Sequence, residues 1–350
     1  MARQPRRIGP RQSCRAPAVT ALCLLWSVSA QPAAAIEPVA DFGENPGNLG
    51  MYLHRPEDTA GLLPLVVALH GCTQSAAAFG EETGLGALAG ETPFVLLLPE
   101  QRKENMSRRC FRWYDSGDNR AGRGETASII AMIDHLVSNE TVDPERVYVL
   151  GLSAGGAMTA VLMANAPERF AGGAVLAGVP FGCNRPVSIF DAVWYGLHYN
   201  PFAPDGADAS YACGIAGFSP TNRDASEWSG DIRDGLSAAP ASWPLISLWQ
   251  GSADTTVDPA NLRELTEQWT AVQGIDAEPD DHQQIGGAVR EIYRDAGGTA
   301  RVETWRIDGF PHAVPIDGDG DPEACGMETD HISDADICAV RRIADFWQLR

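Results

Sequence analysis

The sequence predicts an α/β chain, a mostly parallel central sheet covered by helices. Short apolar runs recur, several of them without polar alternation, as strands buried on both faces require. Helix-spaced apolar patterns lie between them, which argues for crossover connections. The length, 350 residues, suffices for one large domain with a sizeable core.

Residues 1–35 carry five Arg and no acid, then APAVTALCLLW, then SAQPAAA. A charged start, a short apolar run and small residues describe a secretory signal peptide cleaved after Ala35. The expected location is therefore secreted or periplasmic, and no later apolar stretch is long enough for a membrane anchor. Residues 36–350 are expected to form a single domain. Its strands are PLVVAL (64–69), FVLLL (94–98), RVYVL (146–150), GGAVLAG (172–178), PLISLW (244–249) and RVETWRI (301–307). Helices are expected at ETASIIAMIDHLVSN, at SAGGAMTAVLMANA before Pro167, at NLRELTEQWTAV, and at DADICAVRRIADFWQL from Asp334. Residues 179–243 break the pattern with Gly, Pro, Asp and aromatics. They are expected to be an insertion over the sheet edge.

The formal charge is −20, and loss of the five leader arginines takes it to −25. Lys103 is the only lysine, and no basic cluster offsets the negative field, so nucleic acid and anionic lipid are poor partners. Six cysteines follow the leader: Cys72, Cys110, Cys183, Cys213, Cys325 and Cys338. An even number in an exported chain implies disulfides. Proximity favours Cys72–Cys110, Cys183–Cys213 and Cys325–Cys338, although the spacing alone permits other pairings.

The stretch RVYVLGLSAGG runs a strand into Ser153 between small residues, which suits either a helix N-cap or a strained elbow holding a nucleophile. Three glycines around the serine favour the elbow. A serine nucleophile needs a base, and His312 in DGFPHAVP follows a strand end. His135 has ordinary amphipathic spacing, His70 suits bracing of a turn, and His282 and His331 lie in acidic stretches that read as surface. The orienting acid belongs between serine and histidine in the chain. Asp254, just after PLISLWQGSA, is preferred to Asp258, which precedes Pro259 and suits a helix cap. Backbone N–H groups of Cys72, in the turn HGC, and of Ala154 are the expected oxyanion donors.

Taken together, LVVALHGCTQSAAAF, CFRWYDSGDNRAGRGETASI, the GLSAGG segment, SLWQGSADTTVDPAN and FPHAVPIDGDG resemble the polyhydroxybutyrate depolymerase family of esterases, relatives of the feruloyl esterases. The resemblance implies an α/β-hydrolase fold acting on carboxylic esters without a cofactor. It places nucleophile, acid and base on Ser153, Asp254 and His312, and the oxyanion donors on Cys72 and Ala154.

The expected substrate is a 3-hydroxyalkanoate polymer or oligomer; the alternative is a feruloyl or acetylxylan-type ester. After the last helix the sequence shows no Ser/Thr/Gly linker or second module, so soluble or amorphous esters are expected to react faster than crystalline polymer. Trp113, Tyr114 and Trp249 are candidate substrate contacts, with Trp194, Tyr195 and Trp228 behind them. A non-catalytic binding protein would lack a member of the triad, and none is missing. The acidic run 317–328 has partial calcium-loop spacing, but Pro322 stands where a sharp turn needs Gly, so no metal is expected. Oligomeric state has no signature in the sequence.

Overall fold

The computed structural model describes residues 36–56, 61–139, 142–184, 207–220, 222–318 and 324–350. Residues 1–35, Trp194, Tyr195 and residues 319–323 of the acidic run lie outside them. The strands are β1 (Glu37–Val39), β2 (Gly50–His54), β3 (Leu63–Leu69), β4 (Val95–Glu100), β5 (Val142–Leu152) and β6 (Gly172–Leu176). They continue with β7 (Leu245–Gly251), β8 (Asp281–Ile285), β9 (Ala288–Arg294), β10 (Ala300–Ile307), β11 (Val314–Ile316) and β12 (Ile332–Asp334).

The first ten strands form one sheet in the order β1-β2-β4-β3-β5-β6-β7-β10-β9-β8. From β4 through β10 every neighbouring pair is parallel, and the pairs outside them are antiparallel. This is the mostly parallel α/β-hydrolase architecture that the sequence predicts. Strand β3 shows why its residues read as an unbroken apolar run. Leu65, Val67 and Leu69 enter one core cluster, and Val66 and Ala68 enter the other. Successive side chains point to opposite faces, so a strand covered on both sides needs apolar residues at every position.

The helices are α1 (Ala76–Glu82), α2 (Leu85–Glu91), α3 (Gly124–Asn139), α4 (Ala154–Asn165), α5 (Ala207–Ala212), α6 (Ala225–Arg233), α7 (Asn261–Gln273) and α8 (Ala339–Phe346). The last helix starts five residues later than the sequence suggests. Asp334 ends β12 and its Oδ1 accepts the N–H of Asp336 at 3.0 Å, a local turn that delays the helix to Cys338 as N-cap.

Residues 179–243 connect β6 to β7, which are neighbours in the middle of the sheet. Residues 185–206 and 221 of this connection lie outside the described residues. The described part folds back onto α7: the Phe181 N–H donates to Gln268 Oε1 at 2.9 Å, and Gln268 Nε2 donates to the Phe181 carbonyl at 2.8 Å. Trp228 on α6 donates from Nε1 to Glu264 Oε2 at 2.7 Å. The disulfide Cys183–Cys213 closes this segment, and Cys72–Cys110 and Cys325–Cys338 close two others.

At the N-terminal end of the parallel strands a tight turn at 295–299 joins β9 to β10. Asp295 Oδ1 accepts the N–H groups of Gly297 at 2.9 Å and Thr299 at 3.0 Å. Among the described residues, no helix is long and apolar enough to cross a membrane.

Candidate active site

Strand β5 ends at Leu152 and α4 begins at Ala154, so Ser153 alone makes the turn between them. Its backbone sits at φ 57° and ψ −118°, a conformation that a side chain makes costly. The N–H of Ser153 donates to the Leu176 carbonyl at 2.9 Å, which holds the strained residue against β6. Its hydroxyl makes no capping bond to the helix. The elbow reading thus describes the geometry, and the N-cap reading does not. The glycines are steric requirements: a Cβ on Gly155 would strike the Leu69 and His70 carbonyls, and one on Gly151 would strike Gly155. Helix α4 can approach β3 so closely only because Gly155 lacks a side chain, and can fold back so tightly on β5 only because Gly151 does.

His312 lies beyond the end of β10, and Asp254 beyond the end of β7. His312 Nδ1 donates to Asp254 Oδ2 at 2.7 Å. Asp254 is buried, and its Oδ1 accepts the N–H groups of Thr256 at 2.8 Å and Val257 at 2.9 Å. Gln250 Nε2 donates to Oδ2 at 2.9 Å. Burial pushes this carboxyl up, but the bond and charge of His312 with the two backbone donors outweigh it and hold the carboxyl below its ordinary value. With Nδ1–H engaged, a neutral His312 carries its lone pair on Nε2. Asp258 is occupied elsewhere: its Oδ1 accepts the Ala260 N–H at 2.9 Å and its Oδ2 accepts from Ser219 Oγ at 3.1 Å.

The turn after β3 supplies a free donor. Gly71 N–H goes to Gln74 Oε1 at 2.8 Å and Thr73 N–H to the Arg108 carbonyl at 2.6 Å, while Cys72 N–H has no acceptor among the described residues. Ala154, as the first residue of α4, has an N–H with no intrahelical acceptor. The Cys72–Cys110 disulfide ties this turn to the loop carrying Trp113 and Tyr114. Behind that loop, the buried Glu125 accepts the Arg112 N–H at 2.7 Å, and burial pushes its carboxyl up to about 8.

His70 braces the turn from beneath. It is fully buried, donates from Nδ1 to the Gly71 carbonyl at 2.7 Å and accepts the Gln101 N–H on Nε2 at 3.1 Å. Burial pushes it down to about 4, against an unfolded value near 6.5. The folded chain therefore binds fewer protons than the unfolded chain between these values. The resulting stabilisation is complete above pH 6.5 and is lost as pH falls toward 4, by about 3 kcal/mol. Glu125, raised above its ordinary value, acts in the opposite sense between about pH 4.5 and 8, so the test is a difference. Urea unfolding of wild type and His70→Gln from pH 4 to 8 should show a shallower acid loss in the variant. Identical slopes would refute this account.

Ser153, His312, Cys72 and Ala154 line one cavity of about 650 Å³. Trp113 and Tyr114 also line it, with ring centroids 5.4 Å apart in an edge-to-face arrangement. From the segment between β6 and β7, Val179, Ser210, Ile215 and Ala216 complete part of the wall. Trp249 corrects the expectation: it is 2 % exposed, stacked on Trp305 at 4.5 Å, and bonded from Nε1 to Ser247 Oγ at 2.8 Å. It belongs to the core on one face of the sheet, and Trp228 is likewise core. His331 departs in the other direction. Instead of standing apart on the surface, it lines the cavity, with Nε2 3.3 Å from Thr73 Oγ1. Its acidic surroundings in sequence gave no sign of this placement. Among the described residues no group of three or more potential metal ligands occurs.

The description "Esterase PHB depolymerase" matches residues 49–213. Poly(3-hydroxyalkanoate) depolymerase C of Paucimonas lemoignei is 38% identical over 325 residues, 93% of this chain and 72% of that protein. The chain belongs to the esterase PHB depolymerase family. It is thereby a carboxylic ester hydrolase at the family level. Feruloyl esterase B of Neurospora crassa is 30% identical, across 85% of this chain and 94% of its own length. An acetyl xylan esterase structure from Aspergillus awamori superposes with a TM-score of 0.70 at 24% identity, covering 91% of this chain and all of that one. That likeness concerns the fold.

Proposed function

We propose that this esterase PHB depolymerase family chain hydrolyses neutral carboxylic esters through an acyl-Ser153 intermediate. The observation that carries the reading is a serine at a strained strand-to-helix elbow, facing the same cavity as a histidine bonded to a buried carboxylate. In the proposed reaction His312 Nε2 takes the Ser153 proton as Oγ attacks the ester carbonyl. The oxyanion forms toward the N–H groups of Cys72 and Ala154, which are oriented before the reaction begins. His312 then protonates the leaving alcohol. Water, activated by the same ring, releases the acid and restores the serine. Asp254 holds the ring orientation and stabilises its charged form.

For the substrate, the comparisons support plant cell-wall esters more broadly than the hydroxyalkanoates expected first. Relatives named as feruloyl and acetylxylan esterases match 70–85% of the chain, and the edge-to-face Trp113–Tyr114 pair suits an aromatic acyl group. The 38% identical depolymerase keeps hydroxyalkanoate esters as the second reading. Initial rates on methyl ferulate, acetylated xylan, soluble 3-hydroxybutyrate trimer and amorphous poly(3-hydroxybutyrate) separate the two. Faster turnover of the first pair is expected, and a clear preference for the trimer and polymer would reverse the order. No turnover of any ester by folded protein would reject the function itself.

Export is part of the proposal, supported by the leader-like residues 1–35 and the cysteine pairing. N-terminal sequencing of protein collected outside the cytoplasm should begin near Ile36. An intact Met1 terminus would contradict it.

A further inference from the structure

We propose that His331 is a positioning residue that clamps the oxyanion turn to the loop carrying His312; the proposal rests on the Ser153 esterase reading. Thr73 occupies the left-handed region at φ 69°, beside Cys72. Its hydroxyl donates to the Cys72 carbonyl at 2.5 Å, which uses its only proton. The 3.3 Å contact between Thr73 Oγ1 and His331 Nε2 must therefore be a bond donated by the histidine. His331 orients the hydroxyl that grips the Cys72 carbonyl, one peptide from the proposed oxyanion donor.

The other end of the clamp is backbone. Strands β11 and β12 pair in parallel, with Val314 opposite Ile332, and the Val314 N–H donates to the His331 carbonyl at 2.9 Å. Val314 is two residues past His312, and Ile332 is one past His331. The small sheet thus links the proposed base to His331, and His331 links onward through Thr73 to Cys72. A continuous path joins two parts of the site that are 240 residues apart in the chain.

Thr73 and His331 also line a second cavity of about 440 Å³, so the pair stands in the wall between two spaces. A clamp so placed acts on the geometry of the developing oxyanion more than on ground-state binding. Its role needs an N–H donor at this position and neither a proton transfer nor a charge.

The test is steady-state kinetics on p-nitrophenyl butyrate, with active enzyme counted by burst titration and folding checked by circular dichroism. His331→Ala should lower kcat roughly tenfold and leave KM within about twofold, the size expected for a displaced rather than deleted donor. His331→Gln, which keeps an N–H donor, should recover most of the loss from pH 6 to 9. Thr73→Val should match His331→Ala, and the double variant should be no slower than Thr73→Val alone. If His331→Ala does not fold, Thr73→Val reads the same clamp from its other end. Additive losses, a loss confined to KM, an unchanged Thr73→Val, or His331→Gln as slow as His331→Ala would overturn the proposal. Ser153→Ala runs alongside: full turnover there would reject the underlying reading, whereas an inactive Ser153→Ala with an unaffected His331→Ala would reject only the clamp.

Discussion

Ser153→Ala is expected to lower kcat for ester hydrolysis about a million-fold while leaving the fold intact. Loss of the hydroxyl removes the only group proposed to form the covalent intermediate. The structure gives no reason for the variant to unfold, since that hydroxyl caps nothing on α4. His312→Ala should be about as damaging, and the Ser153→Ala/His312→Ala double variant little worse than either alone, because nucleophile and base act as one unit. The measurement is single-turnover and steady-state hydrolysis of a chromogenic ester by protein of verified secondary structure. Near wild-type turnover by Ser153→Ala would show that the nucleophile lies elsewhere. Multiplicative losses in the double variant would show that the two residues do not share a step.

Asp254→Asn carries the second large effect, roughly 10⁴-fold in kcat. The amide would leave the Thr256 and Val257 donors an acceptor but could offer its NH₂ to His312 Nδ1, favouring the wrong tautomer of the ring. KM should change little, because the carboxylate faces the histidine and not the cavity. Asp258→Asn is the matched control. Its carboxylate serves the turn into α7, bonding Ala260 and Ser219, so its cost should fall on stability rather than chemistry. A crippled Asp258→Asn beside a healthy Asp254→Asn would exchange the two roles.

What could be read from the sequence followed from local physics. Buried parallel strands must be apolar at every position, so β3, β4 and β5 announced themselves. A strand that turns at Gly-x-Ser-x-Gly-Gly has few structural explanations, and the Gly155 contact with the Leu69 carbonyl shows why. The preference for Asp254 over Asp258 came from distance along the chain after a strand, and the bond to His312 agrees with it. Residues whose place depends on pairing with distant segments were illegible. Trp249 read as a possible substrate contact because a large aromatic near a strand end faces either the cavity or the core. Strand alternation decides between them: Leu248 enters one cluster and Trp249 the other. His331 sits among acids that suggest a solvated loop. Only the three-residue pairing of β11 with β12 brings it to Thr73, and strands so short leave no periodicity to detect. The segment between β6 and β7 shows no regular period for a similar reason: its helix α6 takes its partner from α7, through Trp228 and Glu264.

The turn at 295–299 has a practical consequence. The loops bearing Cys72, Ser153, Asp254 and His312 all follow the C-terminal ends of parallel strands, whereas this turn lies at the opposite end of β10. Gly298 itself is fixed, with φ at 82° and its N–H bonded to the Asp295 carbonyl at 2.8 Å, but Ala296 in the same turn is exposed to solvent. A tether attached through the side chain at position 296 would fasten the enzyme to a solid support with its cavity turned outward toward a bulky substrate. The polarity of the sheet, set by strand direction alone, divides the molecule into an end that handles substrate and an end by which it can be held.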